Sequence, residues 1–153
     1  MVVSGPGVEC ATLAQSLFEV VAQFCLAAPR HRRRVGDLKE FEYLTLAILH
    51  QGGTLIVGDI QRRLGVLPAQ MSRIIRALEN RERPLIACRI NPSDKRKIDV
   101  ALTPAGEKAF QDYQTARVRG ITHLLQKLSD DDLEDLQRVL DKTHDLIADP
   151  AEA

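Results

Sequence analysis

The chain has 153 residues, with 44% apolar, 27% charged and only 4% aromatic side chains and no Trp. This is an ordinary globular balance at single-domain length, which excludes a fibrous or wholly disordered chain and a multidomain enzyme and calls for an aliphatic core. The formal net charge is zero, but residues 1–51 carry 5 basic and 5 acidic groups, residues 52–103 carry 10 and 5, and residues 104–153 carry 6 and 11, so a basic middle precedes an acidic tail, a pattern that points to nucleic acid.

Residues 1–8 and 150–153 read as frayed ends. The first helix is expected from about Glu9 to Ala28, with Leu13, Leu17, Val20, Val21, Phe24 and Leu26 on a broad apolar stripe and Pro29 as its stop. The run Arg30, His31, Arg32, Arg33, Arg34 reads as a solvated loop. A second helix over Leu38–His50 carries Phe41, Leu44, Leu46, Ala47, Ile48 and Leu49, and Gln51-Gly52-Gly53 stops it. Thr54-Leu55-Ile56 is a short extended piece.

Two short helices come next. The first covers Val57–Leu64, with Ile60 and Leu64 inward, and Gly65 closes it. The second opens at Pro68 and places Met71, Ile74, Ile75 and Leu78 at i, i+3, i+4, i+7. Its other faces carry Ala69, Gln70, Ser72, Arg73 and Arg76. A tight helix pair with a polar, basic second helix is the helix-turn-helix arrangement, and such a helix fits the major groove of DNA.

The period then changes to two. Ile86, Cys88 and Ile90, and again Ile98, Val100 and Leu102, alternate with more polar or smaller residues, and the turn-forming run 91–96 lies between them. This predicts a β-hairpin with a polar, basic tip. Thr103-Pro104 starts a long helix expected to reach about Leu128, with Phe110, Tyr113, Ala116, Ile121, Leu124, Leu125 and Leu128 inward. Ser129, with Asp132 three residues on, starts a last helix through an acidic variant of the capping box, and its apolar positions include Leu133, Leu136, Val139, Leu140, Leu146 and Ile147.

The stretch IQRRLGVLPAQMSRIIRAL (60–78), the wing NPSDKRKIDVALTPAG (91–106) and the tail LSDDDLEDLQRVL (128–140) resemble the MarR family of dimeric winged helix-turn-helix transcription regulators. The resemblance implies a mainly α fold with a small β-wing: a winged helix-turn-helix DNA-binding lobe over 38–103, and helical dimerisation regions at 9–37 and 104–148 of a single domain. It implies a homodimer that reads double-stranded DNA, in most such proteins as a repressor. By position, the recognition helix spans Pro68 to about Arg81, with Gln70, Ser72, Arg73 and Arg76 facing DNA. The resemblance also implies that Arg96 is the arginine entering the minor groove and that Asp94 braces it by a salt bridge, with Lys95 and Lys97 on the same basic tip. The chain departs from the family pattern at Gln61, at Leu67 where a polar cap is usual, and at 79–84, where a short Gly turn is replaced by a longer segment without Gly.

Many relatives bind a small aromatic effector, and the matching region here includes Phe24, Phe41, Tyr43, His50 and Tyr113, for which core packing is the plainer reading. His50 is also placed to cap the last turn of its helix. Other relatives sense oxidants by cysteine. Cys10 lies at a helix start and Cys25 before the arginine run, while Cys88 alternates into the inner face of the wing. Three cysteines without CxxC spacing suit a reducing compartment. The apolar stretch from Cys10 to Ala28 is interrupted by Gln15, Ser16, Glu19 and Gln23, and no basic segment precedes it, so neither a membrane span nor a signal peptide is expected and the location is cytoplasmic. The scattered His31, His50, His123 and His144 form no metal or catalytic motif, so no enzyme activity, metal or cofactor is expected. The alternative is a winged helix that binds a protein partner and not DNA.

Overall fold

The computed structural model describes residues 9–27 and 38–148. Along the described residues the elements are α1 (Cys10–Ala27), α2 (Glu40–Gly52), β1 (Leu55–Ile56), α3 (Val57–Leu64), α4 (Pro68–Glu79), β2 (Ile86–Ile90), β3 (Ile98–Leu102), α5 (Pro104–Leu125) and α6 (Asp130–Ala148). The expected stop at Pro29, the arginine run 30–34, the frayed ends and the side chain of Cys25 lie outside the described residues. The chain divides between Asp37 and Leu38 into two compact units. In the first unit, α1 is an 18-residue helix whose stripe residues Leu13, Leu17, Val20 and Val21 are exposed.

The second unit holds the winged helix. Helix α2 begins two residues after the expected start, because the Glu42 carboxylate accepts the backbone N–H of Lys39 at 3.1 Å and fixes Lys39 as the cap. It ends where Gly53 adopts a positive φ of 69° and donates its N–H to the Leu49 carbonyl at 2.8 Å. Gly65, at φ 64°, closes α3 in the left-handed region and lets the chain turn tightly into α4. The apolar core gathers Leu46 and Leu49 of α2, Ile60 of α3, Met71, Ile74 and Leu78 of α4, and Ile86, Val100 and Phe110 from the strands and α5. The helical spacing of the α4 residues therefore buries one face and leaves the opposite one free.

The sheet is antiparallel with order β1-β3-β2. The predicted hairpin is there, with Ile86 opposite Leu102, Cys88 opposite Val100 and Ile90 opposite Ile98. The extended piece at 54–56 is more than a connection: Leu55 pairs with Val100 and Ile56 with Asp99, adding a third strand. Burial fades along the hairpin, from fully buried Ile86 and Val100 to exposed Ile90, as it leaves the lobe.

Helix α5 starts as its sequence predicts. The Thr103 hydroxyl accepts the Gly106 N–H at 3.0 Å and donates to the Pro84 carbonyl at 2.6 Å, and the Thr103 N–H reaches the Leu85 carbonyl at 3.1 Å. A side chain at Gly106 would run into that same Leu85 carbonyl, so glycine is required by close approach. The helix ends at Leu125, three residues earlier than expected, where Lys127 and Leu128 donate to Leu124 and Leu125 and tighten the last turn. Of the residues expected inward, Phe110 is buried and Tyr113 half-buried, but Ala116, Ile121, Leu124 and Leu128 are exposed. At the start of α6 the Ser129 hydroxyl meets the Asp132 carboxylate at 2.6 Å and accepts the Asp132 N–H at 3.2 Å, the acidic capping box the sequence predicts.

Candidate nucleic-acid interface

Helix α4 turns Met71, Ile74 and Leu78 into the core, so Gln70, Ser72, Arg73 and Arg76 are exposed on its remaining surface. The helix extends to Glu79, short of the expected Arg81, with Asn80 as its cap. Its first residue is Pro68, and Leu67 before it offers no side-chain cap and is 74% exposed. The outward face thus combines two guanidinium groups, an amide and a hydroxyl, the groups that bond phosphate oxygens and base edges.

The wing tip is held by two side chains. The Asn91 amide oxygen accepts the N–H groups of Ser93 and Asp94, both at 2.9 Å, and its Nδ2 donates to Asp99 at 2.8 Å. The Asp94 carboxylate then accepts the Arg96 backbone N–H at 3.1 Å and Arg96 Nε at 3.3 Å, with Lys97 Nζ at 3.7 Å. These donors, led by the Arg96 backbone N–H, hold the Asp94 carboxyl below its usual value. Asp94 therefore fixes the turn and aims Arg96, whose side chain is 92% exposed. Asp94 and Arg96 thus form an ion pair at 3.3 Å, and Lys95 and Lys97 stand exposed beside it.

Sequence reasoning missed two supports. Asn91 is one, although an Asn opening a Pro-Ser-Asp turn is a recognisable local signal. The other is an ion pair between Glu42 and Arg81, 2.7 Å apart, which joins the first turn of α2 to the segment after α4 and has no local signature because 39 residues separate the partners.

Of the residues considered for an effector pocket, three come together. Tyr43 of α2 stacks between Tyr113, at 4.3 Å, and Phe110, at 5.5 Å, and His50 stacks on the Phe110 ring at 4.5 Å. Arg117 lies over Tyr113, 5.2 Å from the ring centroid. His50 does not cap its own helix: its Nδ1 lies 2.9 Å from the Glu107 carboxylate of α5, and Gly53 closes α2 in its place. The His50 contact holds the Glu107 carboxyl below its usual value, and burial with the Tyr113 charge pushes the Tyr43 phenol up. Phe41 is exposed and not part of the stack, and Phe24 belongs to the other unit.

Cys10 is exposed. Cys88 lines an open cleft of about 630 Å³ with Glu79, Pro84, Ile86 and Pro104, and burial together with the Glu79 carboxylate pushes its thiol up to about 11. Among the described residues no cluster of three His, Cys, Asp or Glu could hold a metal, and no helix is long and apolar enough to cross a membrane.

Residues 38–98 match the model of the MarR family, which bears out the resemblance seen in the sequence. The fold is that of solved MarR structures. A MarR family protein from Bacillus stearothermophilus is 18% identical with a TM-score of 0.74, over 92% of this chain and 96% of that one. A MepR variant from S. aureus, solved bound to an oligodeoxyribonucleotide, is 22% identical with a TM-score of 0.60, over 88% and 97%. BpsR from Bordetella bronchiseptica, from a structure on the regulation of its DNA binding by 6-hydroxynicotinic acid, is 20% identical with a TM-score of 0.61, over 86% and 98%. No curated protein matches the chain in sequence.

Proposed function

From a winged helix that matches the MarR model, we propose that this protein is a sequence-specific, double-stranded DNA-binding transcription regulator that acts as a homodimer, most simply as a repressor. The observation that carries this reading is the pairing of an exposed Gln70, Ser72, Arg73, Arg76 face on α4 with a wing whose tip is locked by Asn91 and Asp94 so that Arg96 projects into solvent. The helix suits the major groove and the guanidinium suits a narrow minor groove. The oligodeoxyribonucleotide complex of the MepR variant supports it, since that protein has the same fold.

Exposed apolar side chains along α5 and α6, among them Val118, Ile121, Leu124, Val139, Leu140 and Ile147, support a second copy as the partner that covers them. A dimer would set two recognition helices about 34–36 Å apart, one turn of DNA. The ring stack of Tyr113, Tyr43, Phe110 and His50 on the α2–α5 joint supports release by a small aromatic effector, and the BpsR precedent favours this. A cytoplasmic location without membrane partner or cofactor goes with this reading, and oxidant sensing would fall to the exposed Cys10.

Selection of bound duplexes from a random pool tests the function. A pseudo-palindromic motif that Arg73→Ala and Arg96→Ala both weaken is the expected result. One observation favours the protein-interaction alternative: Leu67, a large apolar side chain, is 74% exposed amid the polar face. No enrichment at low salt from a folded dimer would select that alternative.

A further inference from the structure

Glu42 is the one charged residue buried among the described residues, with 6% of its side chain exposed. A carboxylate withdrawn from water is disfavoured unless it is paired and hydrogen-bonded. Here its Oε2 accepts Arg81 Nη2 at 2.7 Å and the Lys39 backbone N–H at 3.1 Å. The same guanidinium turns back, and its Nε donates to the Ala77 carbonyl in the last turn of α4 at 3.3 Å. One side chain therefore grips two helix ends of opposite polarity: the carbonyl end of α4 and, through Glu42, the N–H end of α2. It does so in the 79–84 segment, where the chain departs from the short Gly turn of the proteins it resembles.

We propose that Glu42 and Arg81 are positioning residues that set the pose of α4 on DNA and so the sequence preference of the protein; this rests on its reading as a DNA-binding regulator. Lever geometry gives the reason. A helix of 12 residues is about 18 Å long, so a 10° tilt about its clamped end carries its groove-facing end about 3 Å. Binding groups must be held to about 0.5 Å to keep their geometry. Met71, Ile74 and Leu78 seat α4 on the core, and the clamp at its far end sets the remaining tilt with which Gln70 and Arg73 meet base edges, while neither Glu42 nor Arg81 lies on the exposed face.

The test uses the full chain with Glu42→Gln, Arg81→Gln and Arg81→Lys, each checked for folding by circular dichroism. Affinity is measured for the selected duplex and for a scrambled duplex of the same length across a salt series. Glu42→Gln and Arg81→Gln should lower the ratio of specific to scrambled affinity by about tenfold, the scale of one lost base-pair contact. Scrambled affinity and salt slope should hold, because the phosphate contacts remain. The double variant should lose no more than either single one, and Arg81→Lys should recover part of the ratio. A ratio within about twofold of wild type in a folded variant overturns the proposal, as does an equal fall of both affinities, which marks a merely structural role. Should Glu42→Gln not fold, Arg81→Lys, which keeps the charge but cannot reach both acceptors, is judged by the same ratio. A wild-type protein without sequence preference would overturn the DNA-binding reading and this proposal together; preference retained in the variants overturns this proposal alone.

Discussion

At the scale of single residues, the wing depends on a carboxylate that binds backbone as much as side chain. Asp94→Ala removes the acceptor for the Arg96 N–H, so it should loosen the tip and weaken DNA binding nearly as much as Arg96→Ala, by about 1–3 kcal/mol in binding titrations. The pH dependence has a definite sign. The Asp94 carboxyl is held below the ordinary aspartate value of 3.8, so its contribution is complete above that value and is lost as pH falls through the lower folded one. A carboxyl-carbon NMR titration should place the Asp94 midpoint below 3.8 and leave the wing unaltered near neutrality. Gly106→Ala forces a methyl group against the Leu85 carbonyl and should lower stability by about 1–3 kcal/mol in denaturant melts. Thiol labelling separates Cys10 from Cys88: Cys10 is exposed, whereas burial and the Glu79 carboxylate push the Cys88 thiol up to about 11, so Cys10 should react before Cys88 at neutral pH.

At the scale of elements, most of the lobe was legible because its signals are local. Thr103-Pro104 with Gly106, Ser129 with Asp132, Gly53 and Gly65 each specify a helix end through groups within a few residues. The period of α4 gave its buried face for the same reason, and with it the exposed basic one. The joints between elements were not legible. His50 was readable as a cap, but its partner Glu107 is 57 residues away and no spacing rule reaches that far. The β1–β3 pairing and the Glu42–Arg81 clamp escape for the same reason. Helix α2 is the element on which the side-chain joints meet, since it carries Glu42 near one end, Tyr43 in the ring stack and His50 near the other. Phe110→Ala removes the ring shared by Tyr43 and His50 together with core contacts, and should cost about 3–5 kcal/mol by denaturant unfolding.

At the scale of the whole molecule, helical spacing predicted apolar stripes on α5 and α6 but could not say whether this chain or another covers them. Ile121, Leu124, Val139 and Leu140 stand exposed in the described chain. A charged substitution there separates the alternatives. With a dimer as the native state, Ile121→Asp should shift the sedimentation profile toward monomer and reduce DNA binding with it, leaving the helical signal of the lobe near wild type.

The short strand β1 has a further consequence for how the protein opens. Leu55 pairs with Val100 and Ile56 with Asp99, so α3, α4 and the outgoing strand of the wing form a single loop of chain, shut at its base by two residue pairs. A ladder of only two pairs, half-buried at Leu55 and Ile56, is a weaker latch than the five-pair hairpin beside it, because a short ladder has few hydrogen bonds to break. This part of the lobe is therefore expected to open first at β1. Amide hydrogens at Leu55 and Ile56 should exchange ahead of those in the core of α4. DNA held across α4 and the wing would span both sides of that latch and slow this exchange, at backbone sites that carry none of the proposed contacts.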